Sequence, residues 1–354
     1  MLKKYFYYFI ILLASLYNFG CKETTKEVKY LLESVPNSSL AAEVLKFKEG
    51  NNPMLYNVIN DSLVLVENWS GKPFYLELFN LNRNSLVTKF VRRGNGPNEF
   101  LSCYVSFKSN TNQLHVFDIV KRQGAIYNID SLLKYGDQYH PPKFNVPSFI
   151  GNDIATLDTS TILIFNKYYV TNKQYSNNVF PIFSYNIEAD KTDFEFMSEN
   201  IKFFTHNVTD GFIAVHPTDD IIWLIYQDEN RIEIYNKTLE LIKALIGPKE
   251  FNPEYEIREG DGIEVSYKVR TRTYWGCFYN TNHIYILYFG ECSGFQKQPV
   301  NLLKFTWDGT PIQRFELDRN LYTVYVDPEE KYVYGTEYIQ GDLPKLIKYK
   351  IEPW

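Results

Sequence analysis

The chain has 354 residues, 45% of them hydrophobic, which is enough for a large core and for one big domain or two ordinary ones. Its formal charge of −5 argues against a nucleic-acid partner, which needs a basic face, and against electrostatic adhesion to anionic lipid. Aromatic residues reach 17%, nearly all Tyr and Phe, and they are spread over strand-like runs, which fits an all-β fold; the alternative is a stacking surface for sugars.

At the N-terminus, Lys3 and Lys4 precede an apolar run from Tyr5 to Tyr17 that is too short for a comfortable membrane span. Gly20-Cys21 and a polar stretch follow. The pattern resembles a bacterial lipoprotein signal, although Asn18 and Phe19 depart from the usual pair before the small residue. The resemblance implies residues 1–20 as signal peptide and lipid on Cys21, hence a membrane partner through that anchor and a place in the cell envelope as an outer-membrane lipoprotein, periplasmic or surface-exposed. Residues 21–40 lack periodicity and read as a tether. The remaining cysteines, Cys103, Cys277 and Cys292, form no CxxC pair, and buried thiols are expected.

Ala41–Phe47 is a short strand candidate. After it, four-strand units recur about every fifty residues. The first holds Leu55–Ile59, Leu63–Glu67, Phe74–Phe79 and Leu86–Val91; the second opens at Val105–Lys108 and continues through Leu114–Asp118 and Ala125–Ile129, with its fourth strand poorly marked. The third runs from Ile154–Leu157 through Ile162–Phe165 and Val179–Tyr185 to Phe194–Met197. The fourth is the clearest: Phe212–Val215, the wholly apolar Ile221–Tyr226, the alternating Arg231–Tyr235 and Leu239–Ile246. The fifth holds Tyr274–Tyr279, Ile284–Tyr288, Asn301–Phe305 and Pro311–Leu317. The sixth has only Tyr322–Val326, Tyr332–Tyr334 and Leu346–Ile351. Residues 41–354 therefore read as an all-β, six-bladed β-propeller, closed by the spare N-terminal strand beside the last strand of the chain.

Gly96-Pro97-Asn98-Glu99-Phe100 and Gly247-Pro248-Lys249-Glu250-Phe251 share G-P-x-E-F at equivalent places three units apart. Gly and Pro suit a fixed turn, Glu can accept backbone N–H bonds, and Phe can fill the gap between blades. The alternative makes Glu99 and Glu250 ligand groups. This motif, the leader and the six units resemble the TolB-like six-bladed β-propeller lipoproteins of bacteria, a family of mostly unknown activity. That resemblance implies fold and envelope location.

The connections after first and third strands are mostly short, whereas those on the opposite face include Asn166–Asn178, Asn200–Asp210, Gly247–Arg272 and Phe289–Pro299. Long loops on a rigid scaffold are where binding concentrates. The candidate ligand-binding residues are Arg92, Arg93, Asn95, Glu99, Tyr168, Tyr169, His206, Glu250, Tyr255, Arg258, Tyr274 and Trp275. No catalytic motif, phosphate loop or metal spacing is present, so no cofactor and no catalytic residue is assigned. Asn152, Asp153 and Asp210 precede innermost strands and could look into the channel. The expected function is a lipid-anchored binding or scaffold protein of the envelope, taking a glycan, peptide or partner protein. The alternative is a propeller hydrolase or lyase with a metal in the central channel.

Overall fold

The computed structural model describes residues 26–45, 53–59, 62–68, 73–107, 112–146, 153–158, 160–165, 182–196, 211–248, 254–259, 263–269, 272–292, 300–337 and 342–352. They form six blade sheets arranged as a β-propeller and one separate two-stranded hairpin. Taken innermost strand first, blade one is Pro53–Ile59, Leu63–Asn68, Phe74–Asn80 and Ser85–Arg92. Blade two is Tyr104–Phe107, Gln113–Asp118, Gln123–Asn128 and Lys143–Asn145, and blade three is Asp153–Thr156, Thr161–Phe165, Ile182–Asn186 and Lys191–Phe196. Blade four is Gly211–Val215, Ile221–Tyr226, Arg231–Asn236 and Leu241–Ile246; blade five is Arg272–Tyr279, His283–Cys292, Val300–Thr306 and Pro311–Leu317. Blade six is Leu321–Val326, Tyr332–Glu337 and Lys345–Lys350, and its outermost strand is Ala42–Leu45. That strand runs antiparallel to Lys345–Lys350 with Ala42 opposite Tyr349 and Leu45 opposite Leu346. The ring closes where the sequence places its spare strand.

Each core cluster lies between neighbouring blades, because a blade has no solvent face except its rim. Phe90, Phe100, Leu114 and Tyr127 fill the gap between blades one and two. Trp223, Ile234, Tyr274 and Phe305 fill that between four and five, and Leu55, Phe79, Tyr325 and Tyr334 join six to one. The consequence for polar side chains is visible at Glu233. It alternates with Ile232 and Ile234, yet it is buried. Its carboxylate accepts hydrogen bonds from Tyr226 Oη and Tyr235 Oη, both at 2.6 Å, and from Arg231 Nε at 2.7 Å. A buried carboxylate requires such partners. Glu77 of blade one is equally buried and is met by Asn68 Nδ2 at 2.7 Å and Lys89 Nζ at 2.9 Å.

Two elements differ from the sequence reading. Residues 26–40, assigned to a tether, are ordered on the rim. Lys26–Lys29 pairs in parallel with Leu241–Ile246 as a fifth strand of blade four, and Asn37–Leu40 pairs in parallel with Pro311–Leu317 as a fifth strand of blade five. Between them Tyr30 is buried in the core of blades four and five. Edge strands of this kind are held by main-chain bonds, so their side chains need show no apolar period. The second difference is a helix, Ile129–Tyr135, inserted between the third and fourth strands of blade two. Asn128 caps it by accepting from Ser131 N at 2.9 Å, and Gly136 ends it at φ 59°. It packs Ile129 and Leu132 into the core of blades one and two, and it makes one connection on the otherwise short-turn face a long one.

Cys103 and Cys277 are free, and burial of the sulfur pushes both thiols above their ordinary value. Cys277 stands opposite Ile286, as the hairpin spacing requires.

Candidate binding face

The connection that leaves blade one is a joint rather than an open loop. Glu99 Oε2 accepts the Gly96 N–H at 2.9 Å, and a Cβ on Gly94, at φ 148°, would stand 2.1 Å from that same oxygen. Lys121 Nζ donates to the carbonyls of Gly96 and Glu99, both at 2.7 Å, and Gln123 Nε2 donates to the Glu99 carbonyl at 3.0 Å. Phe100 is 1% exposed in the core between blades one and two. The G-P-x-E-F turn thus acts structurally at its first copy. At the second copy the Gly247–Pro248 peptide is cis, and Glu250 lies outside the described residues.

The same joint sorts the candidates around it. Arg93 is committed to blade one: Nη2 donates to the Asn68 carbonyl at 2.5 Å, and the guanidinium lies 3.9 Å from the Tyr75 ring centroid. It is a bracket, not a free ligand group. Arg92 and Asn95 are exposed, and Arg92 Nε stands 3.5 Å from Glu99 Oε1. Beside them Arg92, Glu99, Tyr139, His140 and Lys143 line a cleft of about 340 Å³ between blades one and two.

The other gathering point is the inner opening of blades four to six, on the face of the long connections. Trp275 is half-buried there. Its ring packs on Tyr322 at 5.1 Å and on Phe212 and Phe289 at 6.5 Å each. The Arg272 guanidinium lies 4.5 Å from the Trp275 ring centroid, a cation–π stack, and Trp275 Nε1 donates to the Tyr322 carbonyl at 3.0 Å. Phe212, Arg272 and Tyr322 all come from the starts of innermost strands, and Phe289 from near the end of its strand, so the propeller geometry brings them together.

A bulge explains why Trp275 belongs to this group and Tyr274 does not. Tyr274 pairs with Tyr288 and Cys277 with Ile286, so the inner strand carries one extra residue, and Gly276 takes φ 76° there. Bulges re-aim side chains. Tyr274 is turned into the core between blades four and five, where its hydroxyl lies 2.6 Å from Tyr30 Oη and donates to the Gly247 carbonyl at 2.8 Å. It is therefore a core residue and not a ligand contact. Trp275 packs instead toward blade six.

Next to Arg272, the turn Gln227–Asn230 of blade four is clasped by Thr273, whose hydroxyl donates to the carbonyls of Gln227 at 3.1 Å and Glu229 at 2.7 Å. Burial pushes the Glu229 carboxyl up to about 7, against the pull of Arg231, with Glu233 and Asp228 adding to the rise. Tyr255 and Arg258 lie on a hairpin, Glu254–Glu259 with Ile263–Val269, inside the connection from blade four to five. Tyr168, Tyr169 and His206 lie outside the described residues. Asp153 is used within the ring, accepting from Ile213 N at 2.6 Å across blades three and four. Among the described residues no group of three His, Cys, Asp or Glu side chains is placed to hold a metal ion, and no helix is long and apolar enough to cross a membrane.

Closed ring, inter-blade cores and paired loop motif define a six-bladed propeller. The chain belongs to the TolB-like 6-blade propeller-like family, whose profile matches residues 37–329. No curated protein matches the sequence. The fold is similar to that of a DUF4221-family member from Bacteroides vulgatus, at 9% identity and a TM-score of 0.54, covering 89% of this chain and 96% of that one. It is similar to a Bacteroides fragilis protein described as exported, at 12% identity and a TM-score of 0.51, covering 92% of this chain and 99% of that one. A protein of unknown function from Bacteroides thetaiotaomicron is similar at 10% identity and a TM-score of 0.51, covering 93% and 75%. At such identities the likeness is one of fold.

Proposed function

We propose that the chain is a binding or scaffold protein of the cell envelope, anchored by lipid on Cys21, that takes a glycan, peptide or partner protein on the long-connection face of its propeller. The observation that carries the reading is the aromatic group around Trp275 with Arg272 stacked on it. Flat rings stack on the apolar faces of sugars and on peptide side chains, and a guanidinium held over a ring presents directional donors. The lipoprotein-like leader supports the location, and a structural relative described as exported agrees with it. No observation among the described residues favours the channel-metal enzyme over binding.

The test is capture from native envelopes with the lipidated protein as bait, scored against glycan and peptide libraries with the purified chain. Trp275→Ala and Arg272→Ala should each weaken the captured interaction by about tenfold or more, as anchors of a binding site do. Val87→Ala, on the rim of blade one, should leave it unchanged. Capture that depends on neither Trp275 nor Arg272 overturns the reading. Separately, Cys21→Ala should release the protein or leave its leader uncut; a mature chain with Cys21 unmodified overturns the anchor.

A further inference from the structure

The ordered N-terminal strap fixes how close the propeller can sit to whatever holds Cys21. Read as a tether, residues 21–40 would span about 65–70 Å when extended, enough for the domain to roll freely. The strap removes that slack. Lys26 is already paired with Lys243, Glu27 with Ala244, Val28 with Leu245 and Lys29 with Ile246. Tyr30 N donates to the Ile246 carbonyl at 3.1 Å, and the Tyr30 ring is held in the core beside Phe305, with its hydroxyl on Tyr274. Arg231 Nη1, at 3.3 Å from Glu27 Oε1, adds a tie across the same edge. Only five steps of chain separate Cys21 from Lys26, and five steps reach at most about 18 Å. A globular chain of 354 residues has a radius of gyration of roughly 20 Å, so the leash is shorter than the body it holds.

We infer that the lipidated protein sits edge-on, with the rim of blade four against the bilayer and the rim of blade one, three blades round the ring, held away from it. This rests on the lipid anchor proposed above. The partner surface is the lipid headgroup layer, and the strand pairing on blade four is what selects the rim that meets it. Leu31, 61% exposed, and Ile242, 51% exposed, are apolar side chains on that rim.

The experiment places a fluorophore at Ile242→Cys or at Val87→Cys in the lipidated protein on vesicles whose lipid headgroups carry a nitroxide quencher. The Ile242 label should be quenched about twofold or more over the Val87 label, because a leash of about 18 Å keeps the far rim out of contact range. A Gly-Ser insert of about fifteen residues between residues 25 and 26, which adds roughly 20 Å of average reach, should erase the difference. Equal quenching in the uninserted protein overturns the edge-on placement. A difference that survives the insert also overturns it, since adhesion and not the leash would then set the orientation. A chain that carries no lipid on Cys21 and stays in the supernatant overturns the anchor reading itself, which mass spectrometry of the N-terminal peptide distinguishes from the other two results.

Discussion

In blades one, two and three the outermost strand, Ser85–Arg92, Lys143–Asn145 or Lys191–Phe196, is the next strand along the chain after its neighbour. In blades four, five and six the outermost position belongs to residues 26–45, which lie at the other end of the sequence. One half of the ring is therefore finished locally and the other by a strap that crosses three blades. The difference separates two jobs of an added strand. On blade six it completes a sheet and closes the ring; on blades four and five it covers edges of sheets already four strands wide. Among the described residues, no strand covers the outer edges of blades one to three.

Removing the chain up to Leu45 should break this arrangement most. It opens blade six and leaves Leu346, Ile347 and Tyr349 without their neighbours. The loss should exceed about 5 kcal/mol, comparable with the whole stability of many domains. Thermal melts and limited proteolysis check it against removal up to residue 40, which keeps blade six whole and should cost less. Equal melts for the two truncations would mean that closure and edge cover are not distinct.

Within the strap, Tyr30→Ala should cost about 3–5 kcal/mol in urea unfolding, as other buried aromatics do. Tyr30→Phe should cost about 1 kcal/mol, since Tyr274 keeps its bond to the Gly247 carbonyl. A Tyr30→Ala cost no greater than that of the rim substitution Val87→Ala would show that the strap is not part of the core. On the locally finished half, Gly94→Ala should cost about 1–3 kcal/mol, for its backbone angle and for the approach to Glu99. Combined with Glu99→Ala it should cost less than the sum, because the second change removes the obstacle.

The smallest expected effect is one of pH. Glu229 holds its proton up to about 7 in the fold, above its ordinary value of 4.5. Its contribution to stability is therefore full below pH 4.5 and is lost as pH rises through 7. Glu330 is the opposite case. Burial works against its charge, but hydrogen bonds from His283, Asn280 and Lys304 hold the carboxyl down to about 2, so its contribution is present above 4.5 and lost as pH falls through 2. Melts of wild type and Glu229→Gln between pH 4 and 8 should differ in slope, the variant being flatter. Parallel slopes would remove Glu229 from the account.

The propeller was legible because four-strand units recur about every fifty residues, marked most clearly by the wholly apolar Ile221–Tyr226 and the alternating Arg231–Tyr235, and the closing strand because the last unit lacked one. Lys26–Lys29 and Asn37–Leu40 were not, since polar parallel edge strands leave no mark in side-chain pattern. The helix Ile129–Tyr135 was marked by Asn128 and Gly136, but a helix signal inside a run of strands is easily set aside. Of the candidate residues, Arg92 lines a cleft, Asn95 is exposed and Trp275 is half-buried in an aromatic group, whereas Arg93 and Tyr274 proved to be committed to the blades. The bulge at Gly276 decides Tyr274, and a bulge shows only once both strands are paired. Phe212, Arg272, Phe289 and Tyr322 were missed, although their places at or near strand ends on the long-connection face could have brought them in.

The strap has a consequence for the order in which the molecule is made. Tyr30 and Tyr274, joined in the core, are 244 residues apart along the chain. A ribosome delivers residues 26–45 well before their partners near Ile246, Leu317 and Tyr349. Contacts between such distant positions close slowly, after nearer ones have formed. The first-made segment therefore waits without its partners until the last blades emerge, and a chain interrupted before the sixth blade has no ring to close. Closure of the ring therefore requires that synthesis has passed Tyr349 of the sixth blade.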